Sequence, residues 1–169
     1  VQGGAQMQEF NFKADEYDEN KHFFLAQYFY DNYNSAMSTL PIINSNIIIT
    51  KIEVWRTNIG SAVTNNRNLV AFADLGESKP YGQNPMIEFP GVSNLPDQYL
   101  SNQLLHIVDV NAIRDINSVS PYLQAMGFVS GQNYEKIESA RKLSSSEFTF
   151  NPKLGFISLN QALAADQVL

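Results

Sequence analysis

The sequence predicts an α+β fold: a mostly antiparallel β-sheet packed with one long N-terminal helix and short helices. Three observations carry that expectation. Phe23, Ala26, Tyr30, Tyr33, Met37 and Leu40 recur at intervals of 3, 4, 3, 4 and 3, which is one stripe of a helix. Phe148-Thr149-Phe150 and Phe156-Ile157-Ser158-Leu159 flank Asn151-Pro152-Lys153-Leu154-Gly155, with Pro suited to a turn corner and Gly to a left-handed position, a hairpin signal. Strand-like and helix-like segments alternate without a β-α-β rhythm, which favours antiparallel pairing.

Taken in order, residues 8–14 alternate Phe10, Phe12 and Ala14 against Glu9, Asn11 and Lys13, the period of a half-buried strand. The helix is expected over 18–40, with Asp18 as N-cap, Glu19 complementing the helix dipole, and Pro41 as the stop. Residues 47–58 are β-branched and read as a strand, 58–68 as a Gly/Asn/Ser/Thr loop, and 69–75 as a second strand closing a hairpin. Residues 78–96 hold Pro80, Pro85, Pro90 and Pro96, which bars regular structure. A short helix from Asp97 and a strand through His106, Ile107 and Val108 follow. Residues 118–126 read as a helix closed by Gly127, 134–143 as a strand, and 160–165 as a helical turn or loop.

The chain has 169 residues, which suits one domain able to bury its own core. Charged residues make up only 17%, and the polar surface comes from Asn, Gln and Ser. Net charge is −6, with no Lys/Arg cluster beyond Arg141-Lys142. Nucleic acid is therefore not an expected partner, since it demands a basic patch. Without cysteine, disulfides, zinc–thiolate sites and cysteine nucleophiles are excluded. No apolar run is long enough to span a bilayer as a helix, so direct membrane insertion is not expected. The chain starts without Met and ends on Asp166-Gln167-Val168-Leu169, which reads as a strand opening cut short. It is expected to be a piece of a larger protein.

Chemistry-bearing residues are sparse. His22 beside Asp18 suits a base or a metal ligand, but a single His without a spaced partner is no metal motif, and a helix-surface residue is the plainer reading. His106 and Asp109 invite a Ser–His–Asp triad, yet no Gly-x-Ser-x-Gly elbow activates a serine. Asp15, Glu16, Asp18 and Glu19 lack the Gly of a calcium loop and fit a charge-complemented helix start. Glu53 and Asp74 lie on strands near aromatics and are the pair a glycosidase-like hydrolase would use. No cofactor is expected. Tyr28, Phe29, Tyr30 and Tyr33 crowd one helix, which suits docking another domain or packing on two sides. A carbohydrate-binding module would use Trp55 and surface tyrosines, with coplanar rings along one groove. By residue type, an interaction surface would use Tyr28, Trp55 and Arg56.

Several long blocks share one resemblance. They are residues 15–29 (DEYDENKHFFLAQYF), 52–58 (IEVWRTN), 68–77 (NLVAFADLGE), 134–144 (YEKIESARKLS) and 148–160 (FTFNPKLGFISLN). In this order they resemble the SprA/Sov family, with 78–96 matching least. Members of that family are very large outer-membrane proteins of Bacteroidota that form the barrel of the type IX secretion translocon and serve gliding motility. The resemblance implies that residues 1–169 form a single soluble domain of such a protein, outside the barrel and without catalysis. It implies a place in the cell envelope, associated with the outer membrane. Implied partners are other domains of the parent barrel, secretion-system subunits or secreted substrate proteins.

Overall fold

The computed structural model describes residues 18–60, 65–77 and 101–169. The expected strand at 8–14, the Pro-rich stretch 78–96 and the short helix from Asp97 lie outside them. The described residues are mostly β, in two three-stranded antiparallel sheets with short helices. The expected α+β fold with a long N-terminal helix is thereby corrected.

Strand β1 is His22–Phe24, helix α1 Gln27–Met37, β2 Trp55–Thr57 and β3 Arg67–Phe72. Helices α2 (Gln103–Ile107) and α3 (Val119–Ala125) follow, then β4 (Tyr134–Lys142), β5 (Phe148–Asn151) and β6 (Phe156–Leu159). One sheet has the order β1-β6-β5, the other β2-β4-β3.

The helix expected over 18–40 splits because its first turn is claimed by a sheet. His22, Phe23 and Phe24 pair with Ser158, Ile157 and Phe156. Leu25 donates its N–H to Gly155 O and Leu159 donates to Lys21 O, so the backbone here is spent in a ladder. Phe23 packs against the Ile157–Leu159 cluster as a strand residue. The 3–4 periodicity had counted it into the helix. Asp18 caps no helix; it pairs with Lys21 at 3.0 Å.

The hairpin expected between 47–58 and 69–75 does not form either. β4 lies between β2 and β3 and pairs with both. Residues 47–54 belong to neither sheet, β-branched though they are. Ile49 N–H bonds to Pro152 O in the β5–β6 turn, and Val54 O accepts from Leu143 N–H. Near Ser139, whose φ is 53°, the β3–β4 register shifts. Asn68 Oδ1 accepts the Ser139 N–H at 3.0 Å, satisfying a donor that such a bulge leaves out of the ladder.

His106, expected on a strand, lies in the last turn of α2. Leu104 and Val108 are four residues apart and both buried in one cluster with Val119, Leu123, Phe128 and Tyr134. That is helical spacing, which a short apolar run does not reveal by itself. The buried Asp74 carboxylate accepts the Leu104 N–H at 3.0 Å and so anchors the start of α2 from another element. Val70 and Phe72 cover this cluster from the sheet. A second cluster, Val54, Leu143, Ile157 and Leu159, lies between the two sheets. The helix before Gly127 (φ 88°), the strand over 134–143 and the β5–β6 hairpin stand where the sequence placed them.

Candidate functional site

Trp55 and Arg56 are neighbours on β2, so their side chains leave opposite faces of the sheet. Trp55 pairs with Lys142 across the ladder. Lys142 Nζ lies 5.8 Å and the Arg67 guanidinium 5.9 Å from the ring centroid. Lys142 also holds Glu53 at 2.8 Å, and the Trp55 indole N–H reaches Glu53 Oε2 at 3.4 Å. Hydrogen bonding to Lys142, and then to Trp55, holds the Glu53 carboxyl below its ordinary range. Glu53 is thus an exposed partner of a lysine, whereas Asp74 is buried under α2. The structure gives the two carboxylates separate environments.

Arg56 borders a cavity of about 250 Å³ with Leu143, Ser146, Glu147, Leu159 and Asn160. Beside it, Arg141 grips Glu147 through two parallel bonds of 2.9 and 2.7 Å. Ser144 adds its backbone N–H at 2.9 Å and its hydroxyl at 3.0 Å. The Arg141 fork, with the Ser144 N–H next, pulls the Glu147 carboxyl down to about 2. This network closes the β4–β5 turn.

Tyr28 lies in the first turn of α1. Ala26 offers that helix no side-chain cap, and Glu77 supplies one from 49 residues away by accepting the Tyr28 N–H at 2.6 Å. Burial pushes the Glu77 carboxyl up, against the backbone bonds that lower it. The Tyr28 ring borders a cavity of about 90 Å³ with Phe29, Asn32, Asn44 and Lys153. Tyr28 and Arg56 therefore border different cavities, and Trp55 makes a third surface.

Sequence reasoning missed a large groove. Its volume is about 730 Å³, between the face of β1–β6 and helix α1, and it is lined by His22, Phe24, Tyr30, Asp31, Tyr33 and Phe156 among others. Phe24 meets Tyr30, Tyr33 and Phe156 at centroid distances of 5.6, 5.5 and 6.2 Å and angles of 85°, 80° and 71°. These rings stand edge-to-face, unlike the coplanar platform a sugar would stack on. The crowding of tyrosines on one helix was the available signal. The contribution of Phe24 and Phe156 was hidden by their separation of 132 positions.

In the same groove His22 Nδ1 lies 2.7 Å from Ser158 Oγ, and Nε2 lies 3.7 Å from Asp18 Oδ2. The string resembles a Ser–His–Asp relay in composition. Ser158 sits mid-strand opposite Thr149, however, so its backbone N–H belongs to the ladder and not to an oxyanion hole. His106 is exposed on α2, apart from this serine. Among the described residues no group of three or more His, Asp or Glu side chains gathers to hold a metal, and no helix is long and apolar enough to cross a membrane.

Comparison with known proteins sets these surfaces in context. Residues 1–84 match a family described as "Motility related/secretion protein". That likeness is to secretion- and motility-related proteins. The family is SprA_N, and the chain is assigned as SprA-like. No curated protein matches it. The matched range contains β1, α1, β2 and β3, and with them Tyr28, Trp55 and Arg56.

Proposed function

We propose that residues 1–169 form one domain of a SprA/Sov-like type IX secretion translocon of the bacterial outer membrane, with a structural and docking role and no catalysis. The observation that carries this reading is the family match over 1–84 taken with the strand pairing. β1 needs β6, and both β2 and β3 need β4, so each sheet joins a matched segment to one outside the match. The partners would be other domains of the parent barrel, secretion subunits or cargo in transit. Trp55, stacked near two cations, and Arg56, beside its cavity, offer two faces of one strand for such contacts, with Tyr28 on a third. In gliding species the same domain would serve motility.

The test is alanine at Tyr28, Trp55 and Arg56 together, in the full-length parent in its native host. The expected result is normal parent protein in the envelope with reduced cargo secretion. Secretion and assembly at the unsubstituted level would refute the docking surface.

A further inference from the structure

The geometry points to the outer edge of β1, with the groove beside it, as a site for an extended polypeptide carrying a basic side chain. The inference does not depend on the translocon reading, because it uses only the edge and the groove.

The backbone argument comes first. β1 is the edge of its sheet. Lys21, with Leu159, and Leu25, with Gly155, form hydrogen-bonded positions of the β1–β6 ladder. Antiparallel pairing alternates, so Phe23 opposite Ile157 is hydrogen-bonded too, while His22 and Phe24 stand at the non-bonded pairs. The N–H and C=O groups of His22 and Phe24 therefore face away from β6. Among the described residues no strand pairs with them. An open row of donors and acceptors is matched by one kind of partner, another extended backbone.

Side chains then select the sequence. At the same non-bonded pairs, His22 and Phe24 stand on the sheet face that borders the groove. An added strand would send alternate side chains to that face, beside Phe24 and toward Tyr30 and Asp31. Tyr30 is 63% exposed and free to meet a ligand. Asp31 Oδ1 accepts from Gln27 at 2.8 Å, and Oδ2 has no hydrogen bond among the described residues. Among the described residues no Lys or Arg lines the groove. Aromatic walls with one carboxylate and no cation favour an ammonium or guanidinium group, by attraction to the ring faces and to Asp31.

The test uses the 169-residue chain and the probe acetyl-Thr-Val-Thr-Lys-Thr-Val-Thr-amide, whose Val, Lys and Val share one strand face. The expected result is saturable NMR shifts at the His22 and Phe24 amides, with slowed hydrogen exchange at both. Asp31→Asn and Tyr30→Ala should each weaken binding about three- to fivefold. A probe with Glu for Lys should bind more weakly, and one N-methylated at alternate residues should not bind. No shift with the Lys probe, equal binding of the Glu probe, or undiminished binding of the N-methylated probe would overturn the proposal. So would concentration-dependent self-association that protects the same two amides, since a second copy would then own the edge.

Discussion

Gly155→Ala should be among the most damaging single-methyl changes in this protein. Gly155 closes the β5–β6 turn with φ 61°, and its N–H bonds to Asn151 O while its C=O accepts from Leu25. A Cβ there would fall among the ring atoms of Phe29, the helix residue only 5% exposed. An alanine in the left-handed region costs about 1–2 kcal/mol. Overpacking a filled site costs about 1–3 kcal/mol more. The expected total is about 2–5 kcal/mol, a large share of the roughly 5–15 kcal/mol that holds a domain folded. Urea unfolding read by the single tryptophan, Trp55, measures it. A partner variant isolates the cause. Phe29→Ala removes the ring the methyl would strike, so Gly155→Ala should cost at least about 1 kcal/mol less in that background. A cost below about 1 kcal/mol for Gly155→Ala alone, or strict additivity in the double variant, would refute the reasoning.

Three further outcomes follow from the described contacts. Glu147 has an ordinary value of 4.5 and is drawn down to about 2 in the folded protein, so its contribution is present above 4.5 and is lost as pH falls toward 2. The pair is about one-third exposed, and after solvent screening Glu147→Gln should cost about 1 kcal/mol at pH 7 and little near pH 2, measured by urea unfolding; a gap that does not change with pH would count against the Arg141 fork. Burial raises the Glu77 carboxyl, so its protonated form favours folding below about 4.5 and that contribution is lost as pH rises through the folded value. In thermal melts Glu77→Gln, which keeps an acceptor for Tyr28 N–H, should match or exceed the parent at pH 7 and lose that advantage near pH 4, while Glu77→Ala should cost about 1 kcal/mol. Residues 1–84 alone should show no cooperative unfolding, because β1, β2 and β3 all lose their ladder partners; a sharp transition by circular dichroism would contradict the strand pairing.

Local chemistry was legible where it was strong and self-contained. Asn151 to Gly155 wrote its own hairpin, and Gly127 its own helix end. Residues 134–142 form the expected strand, although its buried residues, Tyr134, Ile137 and Ala140, do not alternate and its register against β3 shifts. The failures came from distant partners. His22 to Phe24 carried helical spacing, yet Ser158 to Phe156 drew them into a ladder. His106 and Ile107 read as strand, yet they close helix α2, whose Leu104 N–H is held by the buried Asp74 carboxylate. The β-branched residues 47–54 joined neither sheet; Ile49 and Val54 bond instead to Pro152 and Leu143 of other segments. At the surfaces, residue type alone singled out Trp55 and Arg56, which the structure sets next to each other on β2. The groove needed Phe24 and Phe156 in contact, and no local rule places a residue beside one 132 positions away.

The proposed role of this domain is in protein export. It is tested most directly by removing residues 1–169 in frame from the full-length parent in its native host. Parent level in the envelope and cargo released to the medium are then measured together. The account predicts parent protein at its usual level, with cargo retained in the cell. Cargo release at the unmodified rate with the shortened parent present would contradict it.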